Sequence, residues 1–189
     1  MLFESITDER LAVFQWGVVI SASLVAAVCD LQTRRIPNLL TFPLLLAGLI
    51  WAIWNGGLSS LAEATGACFL LALPYVILFI FASGGAGDAK LMGAIGAWLG
   101  LKQGVIVLFC VAATGIALAI VKAAMRRQAK IILTSVLVSA YSFMLSLTGQ
   151  KMQFASNSAD GEQPDGMDIP YGIAIFAGVV IGGALIWYL

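Results

Sequence analysis

Charged residues cut this chain into long uncharged windows. Residues 11–29, 38–61, 64–87, 103–121 and 169–189 carry no Asp, Glu, Lys or Arg, and a shorter clean window covers 91–101. About 20 apolar residues cross a hydrocarbon core. The pattern predicts an all-α polytopic membrane bundle over 1–189, a single integral membrane domain. Its six spans fall near 11–29, 39–55, 64–83, 88–101, 104–121 and 170–189. The second window is interrupted by Asn55-Gly56-Gly57, which marks a turn. The fourth span is short, with Lys90 and Lys102 at its ends, and both side chains can snorkel outward.

One window reads differently. In 131–150, Ser135, Ser139, Ser142 and Ser146 recur at helical spacing and give one polar face. Residues 131–148 are therefore either an amphipathic interfacial helix or a seventh span whose serines bond other helices.

Composition supports the membrane assignment. The chain has 189 residues, 61% hydrophobic and only 11% charged, with mean hydropathy +0.99. Soluble domains average about a quarter charged residues, so this chain cannot coat a globule with polar surface. Formal net charge is zero, which argues against nucleic acid as a partner. The acid-rich start MLFESITDER lacks the basic region of a cleaved signal, so the first apolar segment reads as a retained helix.

Charge placement then orients the spans. With six spans, eight of the ten basic residues fall on one side: Arg34, Arg35, Lys90, Lys122, Arg126, Arg127, Lys130 and Lys151. Arg10 and Lys102 fall on the other. The basic side is cytoplasmic, which puts both termini outside. A seventh span would return the C-terminus to the inside.

The chemistry is bounded by what the chain lacks. There is no histidine, so a Ser-His-Asp triad, a Cys-His pair and a His-ligated metal are all excluded. Cys29, Cys68 and Cys110 lie in apolar stretches without a CxxC and read as small core residues. No cofactor and no metal site is expected. Most of the ten acidic residues sit in loops, but Asp30 and Asp88 each abut a long apolar run on the cytoplasmic side. A carboxylate at membrane depth is costly and marks a functional site.

Asp30 stands in CDLQTRRIPN, where Pro37 suits the first turn of the next helix. Asp88 stands in SGGAGDAKLM, where Gly85 and Gly87 permit close backbone approach. From Asp88 to Leu101 is 14 residues, roughly 21 Å of helix against a core about 30 Å thick. If Lys102 marks the outer interface, Asp88 lies inside the inner leaflet, in a cavity that must be wet or lined by protein. Two such acids suggest a carboxylate dyad. One acts as general base on a water, while the other, protonated, polarises a scissile carbonyl. Like charges held close cannot both ionise, so the pair shares a proton and titrates as a unit.

Three features resemble the prepilin leader peptidases, membrane aspartic proteases of the type IV pilin family. They are Asp30 followed by Ile36-Pro37-Asn38, the GxGD element Gly85-Ala86-Gly87-Asp88 with Lys90-Leu91, and Pro170-Tyr171-Gly172 opening the last span. The resemblance implies an aspartic endopeptidase of the bacterial inner membrane. It would cleave the short basic leader of prepilin-like, membrane-anchored substrates at the cytoplasmic face, with Asp30 and Asp88 as the catalytic pair. Gly85, Gly87, Lys90, Pro37, Asn38, Pro170, Tyr171 and Gly172 would be substrate-binding or structural residues beside it. Larger members carry an N-terminal domain with paired CxxC motifs, and many methylate the new pilin N-terminus. Here ten residues precede the first span and CxxC is absent. The chain therefore resembles the short subclass that serves Flp-type (tight-adherence) pili, and methyl transfer is not expected of it.

Two readings from other classes stand beside this one. A small proton-coupled transporter or channel could employ the two carboxylates as a relay, although no internal repeat supports it. A non-catalytic subunit of a secretion assembly would need neither.

Overall fold

In the computed structural model, residues 2–82, 85–125 and 171–188 are described. Four long apolar helices occur among them, each long enough to cross a membrane. They are α1 (Leu2–Thr33), α2 (Asn38–Ala82), α3 (Ala86–Met125) and α4 (Tyr171–Tyr188). No strand occurs among the described residues. The segment 131–148 and Pro170 lie outside them. The chain forms two compact units, one comprising Met1–Leu118 with Pro170–Leu189 and the other Ala119–Ile169. Of the second, only the last turns of α3 are described. All that follows concerns the first.

Where the sequence suggests loops between spans two and three and between spans four and five, the helices run on, broken only at single glycines. Gly57 has φ 66° and ψ −148° inside α2, and Gly100 has φ 70° and ψ −173° inside α3. A left-handed φ with extended ψ is open to glycine alone without strain, so each glycine divides its helix into two halves.

The contacts fix the direction of each half. Along the first half of α3, Lys90 meets Asn38 and Trp98 meets Leu44, so that half runs parallel to the first half of α2. Gly93 faces Cys68 and Ala72, Gly96 faces Ala67, and Gly100 faces Glu63. The second half of α2 therefore runs antiparallel to it, and the chain reverses at Gly57. Helix α4 packs antiparallel to α1, with Gly172 against Ala27 and Gly183 against Trp16. It is also antiparallel to the second half of α3, with Gly178 against Val111 and Gly182 against Val107. Helix α1 in turn opposes the first half of α3, since Gln15 donates to the Trp98 carbonyl at one end and Ile36, just past α1, faces Gly87 at the other. The chain thus reverses at Gly100 too, leaving six helical segments of alternating direction among the described residues.

The first half of α3 is the centre of the bundle. Every residue from Leu91 to Leu99 is buried, with Leu91, Met92 and Ile95 fully enclosed. A helix apolar on all sides belongs in an interior. Glycines supply the close approaches, since a Cβ on Gly96 would come within 2.6 Å of the Ala67 carbonyl oxygen. The outer faces are equally apolar: Leu39, Trp54, Phe69 and Phe109 are at least 70% exposed. Exposed apolar surface on this scale is covered by lipid rather than by water.

Candidate active site

The alternation gathers the starts of α2, the first half of α3 and α4 at one end of the bundle, with the C-terminus of α1. Helix α1 ends when Arg34 takes a left-handed φ of 52° and its N–H bonds the Asp30 carbonyl at 2.9 Å. Thr33 Oγ1 lies 2.9 Å from the Cys29 carbonyl and 3.1 Å from that of Arg35, and donates to both. The chain turns at once. The Pro37 carbonyl accepts from Leu40 N–H at 3.0 Å and starts α2, so Pro37 caps the helix and Asn38 is its first residue. That is one position before the first-turn place the sequence suggests for proline.

This tight turn puts Asp30 in the last turn of α1, half-buried. Its Oδ2 accepts the Gly172 backbone N–H, in the first turn of α4, at 2.7 Å. Asp88 occupies the first turn of α3, also half-buried, and its N–H bonds the Gly85 carbonyl at 3.2 Å. Asp88 lies within range of the charge on Asp30, so the two acids share one end of the bundle.

The motif glycines have definite neighbours. A Cβ on Gly87 would fall 3.0 Å from Ile36 Cβ. The sequence reading gives Gly87 to an approaching substrate, but the space it leaves is filled by this chain's own α1–α2 turn. A Cβ on Gly85 would fall 3.0 Å from Asp88 Oδ2, so Gly85 makes room for the carboxylate, and Gly85 itself is exposed. Ala86 is exposed and Ala89 buried. A Cβ on Gly172 would sit 2.9 Å from Asp30 Cβ and 3.1 Å from Ala27 Cα. Only glycine lets α4 touch α1 here. Lys90 Nζ donates to Asn38 Oδ1 at 2.8 Å. The lysine, which the sequence suggests for lipid or substrate, ties the first turn of α2 to that of α3.

Two phenols complete the cluster. Tyr75, from the second half of α2, is 6% exposed. It meets Tyr171 edge-on with ring centroids 6.0 Å apart. Both stand in the field of Asp88. Tyr171 belongs to the third motif, but sequence reasoning missed Tyr75, which is embedded in an apolar run. The available signal was its hydroxyl, since a buried phenol needs a polar partner.

Two carboxylates held at one end of a bundle can hold and activate a water. Comparison with known proteins gives the family. The type IV leader peptidase family profile matches residues 17–120. Similar curated proteins are the prepilin leader peptidase/N-methyltransferases of three bacteria. That of Burkholderia pseudomallei (strain K96243) is 36% identical over 107 residues, covering 53% of this chain and 35% of that protein. That of Neisseria gonorrhoeae is 32% identical over 113 residues, covering 56% and 39%. That of Pectobacterium carotovorum subsp. carotovorum is 32% identical over 122 residues, covering 60% and 43%. The chain spans less than half the length of these relatives. No solved structure gives a significant match. With Asp30 and Asp88 both inside the matched region, the chain belongs to the type IV leader peptidase family.

Proposed function

We propose that this protein is an aspartic endopeptidase that removes the leader from prepilin-like precursors. It would be a six-span protein of the bacterial inner membrane with its site at the cytoplasmic face, in the Flp-type subclass. The observation that carries the reading is the convergence of Asp30 and Asp88, far apart in sequence, at one end of the bundle. The apolar outer faces, the six alternating helical segments and the basic residues near the site, Arg34, Arg35 and Lys90, support the membrane placement. The peptidase part of the relatives' name is what a carboxylate pair can supply. Methyl transfer requires chemistry the pair does not have.

In this reading the substrate is a membrane-anchored helix, so the bilayer supplies much of its orientation. One carboxylate takes a proton from water as the water oxygen attacks the scissile carbonyl carbon. The other delivers its proton to the carbonyl oxygen. The resulting gem-diol collapses, the C–N bond breaks, and the amine nitrogen leaves with the proton taken from water.

Co-expression with a prepilin and analysis of leader removal tests the assignment. Asp30→Asn and Asp88→Asn should each lower processing roughly a thousandfold without loss of membrane insertion. Full processing by both variants would overturn it, and would leave the proton-relay and assembly-subunit readings standing.

A further inference from the structure

The two acids are held differently, and the difference assigns their roles. We infer that Asp30 is the charged member of the pair and the general base, held so by the start of α4, and that Asp88 carries the shared proton. This inference rests on the peptidase reading and deepens it.

The asymmetry is geometric. Asp30 Oδ2 takes a backbone N–H at 2.7 Å from Gly172, in the first turn of an 18-residue helix. Hydrogen bonds donated to a carboxylate favour its ionised form, and a helix start adds a partial positive charge. Among the described residues the Asp88 carboxylate accepts no backbone hydrogen bond. Its facing groups are the like charge of Asp30 from α1, the Tyr75 phenol from α2 and the Tyr171 phenol from α4. On the Asp30 side, Arg34 follows in the same turn, its N–H on the Asp30 carbonyl. One shared proton therefore rests on Asp88.

The contact is also built to be exclusive. A side chain at 172 would overlap Asp30 Cβ at 2.9 Å and Oδ2 at 3.1 Å. Glycine at this place is the condition for the hydrogen bond. In the reaction, Asp30 removes the proton from water while the water oxygen bonds to the carbonyl carbon. Asp88 gives its proton to the carbonyl oxygen. On collapse of the gem-diol, Asp30 passes its proton to the leaving nitrogen and Asp88 recovers one from a gem-diol hydroxyl. Both acids end as they began.

A membrane-permeant carbodiimide, which reacts with protonated carboxyl groups, reads the assignment directly. Purified full-length protein is labelled near neutral pH and adducts are located by mass spectrometry. Asp88 should carry about ten times or more the adduct found on Asp30, because the carboxylate without the backbone hydrogen bond is the one that keeps the proton. In Gly172→Ala, adduct should spread to Asp30, and processing should fall. Equal labelling of the two in the wild type, or dominant labelling of Asp30, overturns the inference, whether or not the Gly172→Ala variant folds. Labelling does not depend on turnover, so it is scored separately from the peptidase reading. If Asp30→Asn and Asp88→Asn abolish processing while Asp30 takes the label, the peptidase stands with its roles reversed.

Discussion

At the scale of single residues, the site depends on missing side chains as much as on present ones. Gly87 leaves space that Ile36 fills at 3.0 Å. Gly87→Val should therefore push the first turn of α3, with Asp88, away from the α1–α2 turn. We expect processing to fall about tenfold or more, and Ile36→Ala to restore part of it in the double variant, because the two positions share one contact. A double variant no better than Gly87→Val alone would refute that packing account. The Asn38–Lys90 bond gives a second case. Asn38→Ala and Lys90→Met should each slow processing by a few-fold, and the double variant should be no slower than either, as for partners in one interaction. Additive losses would instead give Lys90 a separate role. Asp30 and Asp88 were legible in the sequence because a carboxylate beside an apolar run is expensive. Tyr75 was not, since a tyrosine among apolar residues reads as core until its contact with Tyr171 is known. The Gly172 contact with Asp30 was also hidden, because it joins residues at opposite ends of the chain.

At the scale of elements, the two helix breaks decide the architecture. Asn55-Gly56-Gly57 announced the first in the sequence. The second was less legible. Lys102 suggested an ending, but the break falls at Gly100, where Glu63 Oε1 accepts the Leu101 N–H at 3.4 Å and caps the restarted helix. Sequence alone gives no reason to pair Glu63 with that position, because the pairing requires α2 to have reversed already. A substitution at Gly57 isolates the backbone cost. Nothing lies within 4 Å of a Cβ there, so Gly57→Ala should destabilise through its left-handed φ alone, by about 1–3 kcal/mol. Gly66, in the second half of the same helix, also has an open Cβ position but no left-handed φ. Gly66→Ala should stabilise by about 0.5–1 kcal/mol. Thermal unfolding in detergent should move in opposite directions for the two alanines. Movement in the same direction would mean that Gly57 is not held in the conformation the break requires.

At the scale of the whole molecule, the proposed six-span reading puts the two ends of the alternating described segments on opposite sides of a bilayer. One end holds Asp30, Asp88, Arg34, Arg35 and Lys90. The other holds a cleft between Gln15, Trp51, Asn55, Glu63 and Trp98, where Trp51 and Trp98 stack with centroids 5.7 Å apart. Aromatic rings mixed with polar groups suit the interface between lipid and water. In the proposed reading, the basic residues beside the aspartates put that end in the cytoplasm, on the side of the prepilin leader. Arg35 and Ser59 are both exposed and lie at opposite ends, so they serve as reporters. The native Cys29, Cys68 and Cys110 are half-buried and can be replaced by alanine or serine beforehand. In that background, Ser59→Cys should react with a membrane-impermeant maleimide in intact spheroplasts, and Arg35→Cys only after permeabilisation. The reverse pattern would turn the aspartates outward and remove the cytoplasmic peptidase. Equal reactivity from one side would place Gly57 and the α1–α2 turn at the same membrane face, which the alternation of six segments forbids.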